Sequence, residues 1–137
     1  MVATILMCVS AAILLALGTL HLFYTFFGSK LGPRDPALKA RMSEVSPGIT
    51  KDATMWSFWV GFNVSHSMAA MLFGLIYGYL VIAHAGLLFS SPYLLTVGLA
   101  MLVGLLIVGK AYWFRAPVIG IVASLTCYVA SIFVALA

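Results

Sequence analysis

Four long apolar runs dominate this sequence, and each is long enough, or nearly so, to cross a bilayer as a helix. A transmembrane helix needs about 20 predominantly apolar residues, because the hydrocarbon core is about 30 Å thick. Span one is predicted over about Val2 to Phe27, span two over Met55 to Ala83, span three over Tyr93 to Val108 and span four over Ala116 to Ala137. Backbone polar groups in hydrocarbon must be satisfied within their own segment. The predicted fold class is therefore all-α: a polytopic membrane protein, a bundle of four transmembrane helices forming one domain over residues 1–137. Composition closes off the alternatives. The chain is 64% hydrophobic and 7% charged, against about 45–50% and about 25% in soluble domains. A small domain buries only about two thirds of its surface. A water-soluble monomer, a disordered chain and a nucleic-acid module are excluded on that ground. The first run lacks a basic n-region and is too long for a signal-peptide core, so a retained helix is expected.

Charge gives an orientation. Seven Lys and Arg stand against three acids, for a net charge of +4. Loop one (28–53) carries Lys30, Arg34, Lys39, Arg41 and Lys51, loop three carries Lys110 and Arg115, and loop two carries none. Cytoplasmic loops are the ones enriched in Lys and Arg. Loops one and three are therefore expected in the cytoplasm, with both termini periplasmic or extracellular, in a bacterial inner membrane. Trp56, Tyr112 and Trp113 fall where aromatic anchors belong. Cys8 and Cys127 lie inside apolar runs without a CxxC or Cys/His spacing, and read as buried free thiols.

Loop one is predicted to hold a short amphipathic helix. Asp35 suits the N-cap and Pro36 the first helical position. Over Ala37 to Val45, Leu38, Met42 and Val45 share one side, and Ser46-Pro47-Gly48 ends the run. Thr50 is expected to cap span two, with Asp52 in its first turn. The segment reads either as a connector resting on the bilayer surface or as a lid over a site between the helices.

Polar side chains in hydrocarbon carry information because they are costly unless satisfied. At 100° per residue, Trp56, Trp59, Asn63, His66, Ser67, Ala70, Gly74 and Tyr77 share an arc of about 120° on span two. Phe58, Phe62, Val64, Met68, Leu72, Phe73, Leu75 and Ile76 fall outside it, toward lipid. Ala70/Gly74 and Gly74/Gly78 are small pairs that permit close helix approach. Span one offers Ser10, Leu14, Leu17, Gly18, His21, Tyr24, Thr25 and Gly28. Span four offers Trp113, Pro117, Gly120, Ser124, Cys127 and Ser131. Span three is nearly featureless and is expected to face mostly lipid. From the helical rise, His21 lies roughly 9 Å, Asn63 roughly 10 Å and His66 roughly 15 Å inside the cytoplasmic edge. His21, Tyr24, Asn63, His66 and Ser67 are thus expected to cluster in the cytoplasmic half, with Lys110 and Arg115 approaching from the surface. His84 belongs at the opposite interface.

Three readings of this cluster follow. In the first, histidines and asparagine only tie helices together; such bonds contribute about 0.6–2 kcal/mol. The chain is then a structural or accessory subunit of a membrane complex. In the second, they hold the polar group of a lipid-, isoprenoid- or quinone-like ligand. Tyr24, Trp56, Trp59 and Trp113 form its walls, Asn63 and Ser67 bind it, and Arg115 meets an acidic headgroup. His21 and His66 are the candidate acid–base groups should the ligand be transformed, since imidazole titrates near neutral pH. In the third, His21 and His66 are axial ligands of a b-type haem. The absence of carboxylates from the spans argues against a Ser-His-Asp hydrolase and a di-iron site. No further metal ligands accompany the histidines. Charged rings, inverted repeats and interrupted helices are missing, so one copy is a poor channel or transporter. Small-residue faces permit a homo-oligomer or docking in a larger membrane complex. The partners expected are membrane lipids and a hydrophobic small molecule, not nucleic acid.

The runs GTLHLFYTFFGSKLGPRDPAL (Gly18 to Leu38), ITKDATMWSFWVGFNVSHSMAAMLFGLIYGY (Ile49 to Tyr79) and YWFRAP (Tyr112 to Pro117) resemble a family of small bacterial four-span membrane proteins of uncharacterised activity. The resemblance covers roughly half the chain. It implies the four-span architecture and transfers no activity, cofactor or catalytic residue.

Overall fold

A computed structural model describes all 137 residues and contains six helices. They are α1 (Val2–Phe26), α2 (Pro36–Glu44), α3 (Met55–Ala83), α4 (Ala85–Ser90), α5 (Pro92–Tyr112) and α6 (Arg115–Leu136). Helices α1, α3, α5 and α6 are long and apolar enough to cross a membrane. The chain is an all-helical integral membrane protein with four candidate spans.

The element ends follow from local chemistry. Gly28 has φ of 98° and follows the last turn of α1, in the left-handed region where a side chain would be strained. Asp35 caps α2 by accepting the Ala37 N–H at 2.9 Å, and Pro36 takes the first position. The cap of α3 is Thr54 rather than the expected Thr50. Thr54 Oγ1 accepts the Ser57 N–H at 3.2 Å, and Ser57 Oγ accepts the Thr54 N–H at 3.0 Å. This is a reciprocal capping box with serine in the place usually held by Glu or Gln. Thr50 instead closes a local turn with Asp52. The expected turn after span two holds a short helix, α4, and Ser91 with Pro92 starts α5 by the same cap-and-proline device as α2. Lys110 belongs to α5, so the third turn is shorter than predicted, with Trp113 and Phe114 as its extended residues.

The residues form two compact units. The first comprises residues 1–17 and 70–137. Its core is Met7, Ala11, Leu14, Phe73, Tyr77, Val81, Leu88, Leu102 and Tyr128 with their neighbours. Gly74 lets α3 meet the α1 backbone: a β-carbon there would lie 2.6 Å from Leu15 Cβ and 2.7 Å from the Ala11 carbonyl oxygen. The small-pair expectation thus holds at Gly74. Ser10 and Ser124 join α1 to α6, with their hydroxyls 2.9 Å apart and Ser124 Oγ donating to the Ser10 carbonyl at 3.0 Å. Tyr77 and Tyr128 donate to the Leu94 and Leu95 carbonyls of α5, at 2.6 and 3.0 Å. Gly98 leaves the space that Tyr128 and Tyr77 fill.

Phe73 departs from the helical-wheel sorting. It is buried, with its ring stacked 4.5 Å from that of Tyr77. Its wheel position sits at the edge of the polar arc, and the width of the α3 contact face carries it inside. Phe58, Phe62, Met68, Leu72, Leu75 and Ile76 are exposed, as sorted, whereas Val64 is half-buried and Trp59, on the arc expected to be covered, is exposed. Helix α5 is the least enclosed span, in line with its featureless sequence. Cys8 and Cys127 are free and half-buried.

The second unit comprises residues 18–69: the end of α1, the connecting segment, α2 and the start of α3. Helix α2 buries none of its residues, and Leu38, Val45 and Ile49 expose apolar surface.

Candidate ligand site

The second unit brings His21, Asn63, His66 and Ser67 together. His21 Nε2 lies 2.9 Å from Asn63 Oδ1. Asn63 is buried, and its Nδ2 donates to the Trp59 carbonyl at 2.7 Å. That second bond fixes the amide's orientation, since only nitrogen can donate to a carbonyl. Oδ1 is therefore the acceptor, and His21 Nε2 carries the hydrogen. In the neutral ring, His21 Nδ1 is left as the lone-pair nitrogen.

Two hydroxyls beside the cluster bond back to their own helices. Thr25 Oγ1 donates to the His21 carbonyl at 2.8 Å, and Ser67 Oγ donates to the Asn63 carbonyl at 2.8 Å. Ser67 is fully buried, so its hydroxyl serves α3 itself rather than a ligand. The His66 ring meets His21 edge-on, with centroids 5.2 Å apart and planes at 77°. Phe62 lies parallel to His66 at 6.4 Å.

This geometry bears on haem. Two axial imidazoles sit on opposite faces of a macrocycle, each bonded to the iron through nitrogen. Here the two rings are in contact and His21 Nε2 is committed to Asn63, which leaves no gap for a porphyrin between them. The arrangement does not fit a bis-histidine haem. No third His, Cys, Asp or Glu joins the pair to complete a metal-ligand cluster.

The remaining expected residues divide. Tyr24, Trp56 and Trp59 line a cavity of about 180 Å³, walled also by Leu31, Gly32 and Lys39. Trp59 Nε1 donates to the Leu31 carbonyl at 3.1 Å and thereby pins the connecting segment against α3. Gly32 sits beside Trp56, where a β-carbon would lie 3.8 Å from the far edge of the indole. Lys39 Nζ lies 4.8 Å from the Trp56 ring centre, and Lys30 Nζ lies 4.1 Å from that of Tyr24. Asn63 links cluster and cavity through the Trp59 carbonyl. Trp113 and Arg115 belong to the first unit, where Trp113 ends α5 and Arg115 begins α6. His84 is exposed and lies 3.2 Å from the Tyr79 hydroxyl, as an interfacial histidine would.

Sequence reasoning missed Lys30, Lys39 and the Leu31–Pro33 wall. The run Gly28-Ser29-Lys30-Leu31-Gly32-Pro33 carried the signal, because glycines and proline turn the chain back toward the first turns of span two. Comparison with family models, curated proteins and solved structures gives no match.

Proposed function

We propose that this chain is a four-span protein of a bacterial inner membrane that holds a hydrophobic ligand in the loop-one cavity. The observation that carries this reading is the cavity itself: about 180 Å³ walled by Tyr24, Trp56 and Trp59, next to a hydrogen-bonded His21–Asn63 pair. Ligand sites are concave and mostly apolar, with a few placed polar groups. A drug-sized pocket runs to about 300–1,000 Å³. This cavity is smaller, so it takes one end of an amphiphile while the rest lies in lipid. A lipid, an isoprenoid or a quinone has that shape. Binding is the primary role. His21 and His66, the expected acid–base groups, do not line the cavity; the His21–Asn63 pair reaches it only through the Trp59 carbonyl.

The distribution of Lys and Arg supports cytoplasmic placement of loops one and three, and periplasmic termini. The resemblance to small bacterial four-span proteins is consistent with that setting.

The rival is a structural role within a larger membrane complex. It is favoured by the completeness of the polar bonding, since every buried side-chain nitrogen and oxygen has a partner. Gentle purification, organic extraction and mass spectrometry separate the two. A stoichiometric amphiphile that disappears in Trp59→Ala supports the ligand reading. Its absence from wild-type protein, with assembly lost in His21→Ala or Asn63→Ala, supports the rival.

A further inference from the structure

We infer that the ligand end held in the cavity is a phosphate ester, the anionic head of a phosphorylated amphiphile. The inference rests on the reading above, that the cavity holds a hydrophobic ligand. Among the residues lining the cavity, Lys39 is the one with a charge, and no acid lines it. Lys30 stands over Tyr24, another wall residue.

All three acids of the chain are engaged elsewhere in loop one. Asp35 caps α2, Glu44 pairs with Arg41 at 3.5 Å, and Asp52 accepts from Thr50 at 3.4 Å. Lys30 and Lys39 therefore have no carboxylate partner, and their contacts are with aromatic ring faces. A ring face attracts an ammonium but occupies none of its three hydrogen-bond donors. Both lysines keep those donors for an anion.

The size and the walls agree. About 180 Å³ accommodates a headgroup but not the whole of a lipid. Trp56, Trp59 and Tyr24 suit the boundary between headgroup and chain, where tryptophan and tyrosine are favoured. A quinone head or a neutral alcohol offers no charge to Lys39 in the wall or to Lys30 beside it. A phosphate ester on a hydrophobic chain meets both the cations and the aromatic walls.

The test uses the full chain in nanodiscs of equimolar phosphatidylglycerol and phosphatidylcholine, released into the gas phase for native mass spectrometry. Wild type and Lys51→Ala, a loop-one cation outside the cavity, are expected to retain phosphatidylglycerol. Lys39→Ala and Lys30→Ala are expected to lower the retained fraction at least fivefold, and Lys39→Glu to abolish it. Inorganic phosphate at 10 mM (roughly a hundredfold excess over protein) is expected not to displace the lipid, because the chain supplies much of the binding. Displacement by phosphate alone would point to a free anion and overturn the inference. Equal loss in Lys51→Ala and Lys39→Ala would reduce the effect to bulk charge and overturn it too. Equal retention of phosphatidylcholine, whose phosphate is neutralised by its own choline, in every variant would show that a net anionic head is not selected, overturn the inference and leave the hydrophobic-ligand reading standing. Retention of neither lipid would overturn both.

Discussion

The Asn63 side chain donates to the carbonyl of Trp59 and so presents its oxygen to His21 Nε2 at 2.9 Å. A cavity wall and an intramembrane histidine are thereby fixed by one amide. Replacing Asn63 with alanine leaves the His21 N–H without its acceptor. Asn63→Ala and His21→Ala should each lower stability by about 1 kcal/mol, with a coupling near 0.6 kcal/mol in a double-mutant cycle. Unfolding in mixed micelles by SDS measures this; additive effects would mean that the bond contributes nothing.

Gly74 should be intolerant. A β-carbon there meets Leu15 Cβ and the α1 backbone below 3.0 Å. Gly74→Ala should cost about 1–3 kcal/mol by overpacking. Gly61→Ala, on the same helix with open space around it, should be neutral or stabilising by under about 1 kcal/mol. The same unfolding assay compares them.

Gly98 and Tyr128 should be coupled. Tyr128→Phe loses the bond to the Leu95 carbonyl, at about 1 kcal/mol. Gly98→Ala should cost more, because its β-carbon meets the Tyr128 hydroxyl and comes within 2.7 Å of Tyr77 Cζ. The double variant Gly98→Ala, Tyr128→Phe should recover part of that loss. No recovery would show that the ring carbons, Tyr77 Cζ at 2.7 Å and Tyr128 Cζ at 2.8 Å, set the limit rather than the Tyr128 hydroxyl.

The orientation can be read chemically. With Cys8 and Cys127 replaced by alanine, Ser43→Cys places one thiol on exposed loop one. A membrane-impermeant maleimide should label it in inverted vesicles and not in intact cells. The opposite pattern would reverse the proposed topology.

These relationships differ in how far the sequence shows them. The four spans are legible because apolar length alone decides whether a helix can cross a bilayer. The His21–Asn63–His66 grouping is legible because a 3.6-residue period sorts polar positions onto faces that must be covered. Phe73 escapes that logic, since an apolar residue is at home either in lipid or in a core. Tyr128 escapes it too, although it lies on the face shared by Ser124 and Ser131. The cavity is less legible still. It depends on the path of residues 28–33, and that path is set by the Trp59–Leu31 bond between residues 28 positions apart.

On the proposed function, the loop-one cavity holds one specific ligand. The most direct test places the photocrosslinker p-benzoylphenylalanine at Leu31, in the cavity wall, and separately at exposed Phe58. After irradiation in membranes, intact-mass analysis should show one discrete adduct at Leu31, reduced by Trp59→Ala, and a spread of bulk-lipid adducts at Phe58. The same spread at both positions, or no adduct at Leu31, would contradict the account.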